Sequence, residues 1–358
     1  TFRLSGRNGM RIAIDAMGGD EGPSVMVQGA ITGARAFDVA LSLVGSPSEI
    51  NRALKEADCR DIDVIVVEAM QNIGMDEHPA QAARRKPKSS ISVALREVLE
   101  GRASAMVSAG NSGAIMAAAL LILGRIPGID RPAIASYIPT ARARTLVLDL
   151  GAVTDPKPAN LVQFAHMGRV YAQRILELDD PTLGLLSNGE EPTKGNLFVQ
   201  EVFPLLAAEP GLNFQGNVEG KDVALGTVDI VVTDGFTGNV ALKVAEGVGA
   251  MLSELIRAEV TATLPRKLAA LVLRPAFRAV RSKLDYSEIG GAPLLGVNGA
   301  VIIAHGRSNV NAVKNSVGVA RRAAVVDLVG SIQRVIASNL AKTGECPPTM
   351  VGRIDHIE

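Results

Sequence analysis

Ala105-Met106-Val107-Ser108-Ala109-Gly110-Asn111-Ser112-Gly113 joins a short apolar run to an alanine-rich helical run, Ala114 to Leu123. The order predicted is strand, tight turn, helix. Two glycines allow backbone angles that side chains forbid, and the N–H groups that open a helix have no intrahelical acceptors. The helix dipole adds to this, so such a turn suits an anion. Taken alone, the stretch reads equally well as a structural turn. Its recurrence along the chain decides the matter.

Ile12 to Ile14 runs into Asp15-Ala16-Met17-Gly18-Gly19-Asp20, and Pro23 opens a helix through Ala36. Leu183 to Leu186 feeds Ser187-Asn188 through Asn196, and Asp229 to Val232 feeds Thr233-Asp234-Gly235-Phe236-Thr237-Gly238-Asn239; each leads into a helix. Between these lie a strand at Val39 to Val44, a helix to Ala57 with a capping box at Ser46-Pro47-Ser48-Glu49, and a strand at Asp63 to Val67. Met75 to Lys88 reads as a polar loop carrying Arg84, Arg85, Lys86 and Lys88, before a helix capped at Ser89-Ser90. Ile134 to Ile138 and Leu146 to Leu150 read as an antiparallel pair, Pro158 to Leu178 as a helix, Gly290 to Gly299 as a loop and Ala300 to Ala304 as a strand ending at His305. Asn311 to about Ala341 reads as one long amphipathic helix.

Strands alternating with helices over most of a chain predict an α/β fold, three layers α/β/α around a mainly parallel sheet. Right-handed crossovers put the loops after the strands along one edge, where ligands of such sheets bind. The turns near Asp15, Asn111, Asn188 and Asn239 are therefore expected to converge on one polar cleft. Nothing in the composition forces two domains, so residues 10–350 are expected to form one, with residues 1–9 a leader or cloning remnant.

With 37 basic and 37 acidic residues among 358, no global field favours nucleic acid. Cys59 and Cys346 lie far apart with no His/Cys cluster, which fits a reducing compartment, excludes a zinc pattern and leaves no metal expected. No uncharged apolar stretch of about 18 residues and no signal-peptide pattern is present, so a cytoplasmic location is expected. Ile256 to Lys283 stands apart, with seven basic residues against Glu259, apolar residues at helical spacing, and Pro265 and Pro275 as breaks. It reads as a broken basic amphipathic helix pair, a protrusion (residues 250–286) for a partner subunit or for a membrane surface or acidic protein.

The G-x-G-x-x-G, P-loop, H-E-x-x-H and G-x-S-x-G patterns are absent in their required contexts, leaving a phosphate or phosphorylated substrate as the reading. The runs Asp15 to Asp20, Ser108 to Gly113, Lys194 to Asn196, Asn217 to Gly220, Asp234 to Asn239 and Gly290 to Gly299 resemble, in order, those of the bacterial phosphate acyltransferase family. The resemblance implies transfer of a fatty acyl group from acyl carrier protein to inorganic phosphate for phospholipid synthesis, with no cofactor. It also implies a homodimer with a fold related to phosphate acetyltransferases and isocitrate-type dehydrogenases. Peripheral contact with the cytoplasmic membrane would be made through the protrusion, at Arg266, Lys267, Leu268, Leu271, Arg274, Arg278 and Arg281, which could equally grip the carrier protein. Val153 departs from the usual Asn of the family, and Ser112 from a common Thr.

Phosphate is itself a nucleophile, so the chemistry needs positioned donors and a cation rather than a Ser or Cys intermediate. Lys194 is the candidate cation, and Asn239, opening a helix, the candidate oxyanion donor; the resemblance points to the same two. Candidate phosphate or substrate contacts are Asp15, Gly18, Gly19, Gly110, Asn111, Ser112, Gly113, Asn188, Asn196, Asp234, Gly238 and His305. Two other classes remain at this stage: an oxidoreductase on the related dehydrogenase fold, and a non-enzymatic regulator that binds the carrier protein at the membrane.

Overall fold

The strand segments are near-continuous apolar runs, as befits strands covered on both faces. In the computed structural model they form two sheets. The structure describes residues 9–140, 144–284 and 290–343, without the side chains of 139, 144, 278–284 and 342–343. In the first sheet, β1 (Arg11–Asp15), β2 (Ala40–Gly45), β3 (Val64–Glu68), β4 (Ala105–Ser108) and β12 (Ala300–Ile303) are parallel, in the order β3-β2-β1-β4-β12. Antiparallel β11 (Ala292–Leu295) and β5 (Ala133–Ile134) complete it. In the second, β6 (Ser136–Pro139) pairs antiparallel with β7 (Arg144–Leu148), followed by parallel β10 (Ile230–Val232), β8 (Thr182–Leu186) and β9 (Asn213–Val218).

Helices cover these sheets: α1 (Gly22–Phe37), α2 (Pro47–Glu56), α3 (Pro79–Arg85), α4 (Ser90–Leu99), α5 (Ser112–Ile122), α6 (Pro158–Ile175), α7 (Leu197–Ala208), α8 (Gly220–Leu225), α9 (Gly235–Thr261), α10 (Leu264–Leu284), α11 (Val310–Val325) and α12 (Leu328–Thr343). One hydrophobic cluster runs through both sheets, with Ile14 and Leu43 from the first, Leu146 and Leu185 from the second, and Phe164 and Val313 from helices between them. Burial of such side chains stabilises by roughly 1.5–3 kcal/mol each. No single helix among the described residues is long and apolar enough to cross a membrane.

The α/β class and the antiparallel pair are as read from the sequence, but several local readings are not. The sheet is divided because the Ile134 to Ile138 run crosses from one sheet to the other at Ala135, whose N–H bonds Pro293 O on the first-sheet side. The long C-terminal helix breaks into α11 and α12, which bend by 48°. Asp327 sits at φ 49° and accepts Gly330 N–H at 3.2 Å, so a local cap overrides the continuing apolar period. Ser46 makes no cap bond, its hydroxyl meeting Ser48 Oγ instead. Part of the Met75 to Lys88 loop folds as α3, and part of the Gly290 to Gly299 loop as β11. The basic pair breaks between α9 and α10, not at its prolines: Pro265 lies in the first turn of α10, where its missing N–H is not needed, and Pro275 is accommodated inside the helix. Residues 1–8 of the expected leader, 285–286 of the protrusion, 344–350 of the expected domain and Cys346 lie outside the described residues.

Two glycines of α9 give a sharp contrast. A Cβ at Gly238 would overlap the Asp149 carbonyl oxygen, whereas one at Gly247 meets nothing within 4 Å. Gly238→Ala should destabilise by about 1–3 kcal/mol, and Gly247→Ala should stabilise by up to about 1 kcal/mol. Urea denaturation midpoints check this; shifts of the same sign would contradict the packing at the start of α9.

Candidate active site

At the carboxyl edge of the first sheet, β1 and β4 end side by side in a buried polar knot. Ser108 Oγ donates to Asp15 Oδ2 at 2.6 Å and accepts Gly110 N–H at 3.1 Å, while Met17 N–H donates to Asp15 Oδ1. Burial pushes the Asp15 carboxyl above its usual value, with the Ser108 hydroxyl and backbone donors pulling the other way. The two turns cross so closely that a Cβ on Gly18 would lie 2.7 Å from Gly110 N. The loop after β12 joins them, Gly306 O accepting Asp20 N–H at 2.8 Å and lying 3.4 Å from where a Cβ of Gly19 would be.

Asn111 caps α5, its Oδ1 accepting Ala114 N–H, and its amide donates to Met75 O and Glu77 O. Its side chain thus holds the loop, where the sequence led to the expectation of a direct contact. What remains open to a ligand is the first turn of α5, where the N–H groups of Ser112 and Gly113 have no intrahelical acceptors and the Ser112 side chain is exposed. Pro79 of α3 closes over Gly113, 2.8 Å from where its Cβ would be.

At the same edge of the second sheet, β7, β10 and β8 end in register, Val232 lying opposite Leu148 and Leu185. After β7, the fully buried Asp149 carboxylate accepts four backbone N–H groups, from Ile134, Gly151, Ala152 and Val153. Desolvation still lifts its pKa above the usual value. Val153 gives its N–H to Asp149 and its carbonyl to Gly235 N–H, so this position acts through backbone and the departure from Asn loses neither bond. Asp234 caps α9 by accepting Thr237 N–H, and the Asn239 amide lies against Gly151, whose Cβ would stand 3.4 Å from Nδ2.

In the loop after β8, Asn188 Oδ1 accepts Gly195 N–H and Asn196 Oδ1 accepts Val199 N–H to cap α7. These two amides and Asp234, expected as substrate contacts, use their acceptor oxygens to shape turns. Asn217 ties the loop to β9 by donating to Glu191 O. Lys194 lies with its stem over Gly189, exposed, and its ammonium has no carboxylate partner among the described residues.

The two edges meet through α9. Lys243 lies one turn beyond Asn239 on the same helical face, pairs with Glu246 at 2.9 Å, and is close enough to His305 after β12 to disfavour its protonation. Desolvation is the larger cause holding the His305 pKa below the usual imidazole value. Its Nδ1 accepts Arg307 N–H at 3.1 Å, which places the proton of the neutral ring on Nε2.

The structure thus gathers Asp15, Gly18, Gly19, Gly110 to Gly113 and His305 on one wall, and Asp234, Gly238 and Asn239, with Asn188, Lys194 and Asn196 on the neighbouring loop, on the other. It does not bring the protrusion to them. Arg266 there pairs with Glu259 at 2.8 Å, Lys267, Leu268, Leu271 and Arg274 are exposed, and Arg278 and Arg281 fall where side chains are not described. Sequence reasoning missed Asp149 and Lys243 as site-building residues. Lys243 carried a signal, its spacing of four from Asn239; the four donors on Asp149 come from two sheets and had none.

Solved structures with this architecture include EutD phosphotransacetylase from Staphylococcus aureus, with a TM-score of 0.59 at 16% identity over 90% of this chain and 96% of that one. A phosphotransacetylase from Streptococcus pyogenes gives 0.60 at 16%, over 93% and 95%. The fold is therefore the α/β fold of the phosphotransacetylases. In sequence, the profile of the fatty acid synthesis protein family matches residues 10–329. A phosphate acyltransferase of Desulfitobacterium hafniense (strain DSM 10664 / DCB-2) is 49% identical over 326 residues, 91% of this chain and 97% of that protein. One of Heliobacterium modesticaldum is 49% identical over 328 residues, 91% and 98%. The chain belongs to this family of phosphate acyltransferases, and it is an acyltransferase enzyme.

Proposed function

We propose that the enzyme moves a fatty acyl group from an acyl carrier protein thioester to inorganic phosphate, forming an acyl phosphate for phospholipid synthesis. The observation that supports this best is the open first turn of α5 at Ser112 and Gly113, at the carboxyl edge of the first sheet; Asn239 and Lys194, a lysine with no carboxylate partner among the described residues, lie on the segments that follow β10 and β8. A phosphate held by the α5 N–H groups and dipole attacks the thioester carbon through one of its oxygens. The carbonyl oxygen becomes an oxyanion and takes a hydrogen bond from the Asn239 amide. The C–S bond then breaks, and the carrier leaves as a thiolate that Lys194 neutralises or protonates. His305, neutral and with its proton on Nε2, offers a donor to the phosphate oxygens from the same wall, beside α5. No residue of the chain needs to become acylated.

The test mixes acyl carrier protein thioester, phosphate and enzyme, and traps acyl phosphate as a hydroxamate with hydroxylamine. Hydroxamate above the direct reaction of hydroxylamine with the thioester is expected only with enzyme and phosphate together, and Lys194→Ala is expected to lower turnover about 10²-fold, the scale for losing one electrostatic group, with an unchanged melting temperature. A folded Lys194→Ala enzyme of near wild-type activity would remove Lys194 from the mechanism, and absence of that excess hydroxamate with the wild-type enzyme would remove the reaction.

The protrusion supports the homodimer and the peripheral placement at the cytoplasmic face of the membrane. Along α9 only Gly235 and Gly238 are buried, while Val240, Val244, Val248, Met251 and Leu255 are exposed, and α10 exposes Leu268, Leu271 and Val272. An apolar surface of this extent calls for a cover, and a second copy on α9 with a bilayer beneath α10 would supply it. Flotation with anionic vesicles checks the bilayer half: Lys267→Glu with Arg274→Glu should weaken binding by about 1 kcal/mol per charge reversed, without changing the mass in solution. Unchanged flotation would leave the protrusion to dimerisation or carrier docking alone.

A further inference from the structure

At the edge of the sheets opposite the cleft, an open cavity of about 580 Å³ lies between the end of α6 and the elbow of α11 and α12. Its position follows from topology: α6 leaves the carboxyl end of β7 and delivers the chain to the amino end of β8, so its last turn lies at the amino edge. The size falls within the roughly 300–1,000 Å³ usual for small-ligand sites.

The lining chemistry is distinctive. Arg174, Arg321 and Arg322 face the cavity against one acid, Glu177, and none of the three arginines has an ion pair or side-chain hydrogen bond among the described residues. Asp327, next to the lining residue Val326, pairs instead with Arg334 at 3.0 Å. Between the charges stand Leu176 and the half-exposed Val325. Arg174 and Arg322 sit in the last turns of their helices, where a cation complements the helix dipole. That role accounts for neither Arg321 nor the convergence of both helix ends on one cavity.

Guanidinium groups present planar forks matched to phosphate oxygens, and an apolar wall beside them favours a ligand that is not fully ionic. We propose that this cavity is a second binding site, for an organic phosphate monoester with a short apolar tail. Such a ligand would touch α6, which packs on the second sheet, and α11, which packs on the first, so it would join the two halves of the molecule behind the cleft. The site shares no residue with the proposed acyl-transfer cleft and stands or falls separately from it.

The probe is hexyl phosphate, titrated calorimetrically into the full chain. The combined variant Arg321→Gln/Arg322→Gln should weaken this binding at least tenfold while leaving the melting temperature unchanged, and Arg174→Gln should act in the same direction. Read as the binding lost in Arg321→Gln/Arg322→Gln, which leaves the α5 turn untouched, inorganic phosphate should bind this site at least tenfold more weakly than hexyl phosphate, and Val325→Ser should narrow that difference. Wild-type affinity in the arginine variants, or hexyl phosphate binding that responds to Lys194→Ala instead, would overturn the site; equal affinity for inorganic phosphate would overturn the apolar half of the ligand.

Discussion

Asp149 is the interaction on which the site geometry depends. One carboxylate accepts N–H groups from Ile134, at the edge of the first sheet, and from Gly151, Ala152 and Val153, in the turn that follows β7. Hydrogen bonds to a charged group are worth about 1.5–3 kcal/mol each, and a buried donor left without its acceptor costs a similar amount. Four such bonds oppose, without cancelling, the burial that pushes its pKa up. They fix where Val153 O stands, hence where Gly235 N–H and the start of α9 stand, and hence where Asn239 and Lys243 are presented. Glycine at 235 and 238 follows, since a Cβ at either would collide with Asp149 itself.

The cleft therefore has two walls built on different principles. The first-sheet wall is a knot of crossing turns, in which buried Asp15 and Ser108 hold the backbone so that the first turn of α5 stays open. The second-sheet wall is a helix start, α9, set in place by Asp149. Polar side chains of these turns, among them Asn111, Asn188, Asn196 and Asp234, use their acceptor oxygens to shape backbone. This division suits acyl transfer to phosphate. The nucleophile arrives with the substrate, and the protein contributes preorganised N–H dipoles and one mobile cation. A lysine on an exposed loop has little electrostatic leverage in water, so in the proposed mechanism Lys194 would act only once a substrate covers the cleft and lowers the local dielectric.

What could be read from the sequence was local. Apolar runs of four to six residues ending in Gly/Asn turns gave the strands, and helix starts such as Asn111 and Asp234 cap as their residue type dictates. What could not be read was pairing at a distance. Nothing within residues 133–139 announces that the chain leaves one sheet at Ala135 and enters another, because the side chains on both sides of the crossing are equally apolar. β11 was hidden by its flanking glycines, and the elbow at Asp327 by an apolar period that continues through it. The roles of the turn residues were not legible either, since a polar side chain in a turn looks the same in sequence whether it faces a ligand or, like Asn111 and Asn196, caps a helix.

The central claim is that phosphate is held at the open turn of α5, facing α9. A crystal of the enzyme soaked with selenate as an anomalous phosphate substitute tests it most directly. The account predicts an anomalous peak within hydrogen-bonding distance of the Ser112 and Gly113 N–H groups, on the side of the cleft that faces Asn239. A cleft without selenate in a crystal that binds it elsewhere on the molecule would contradict the account.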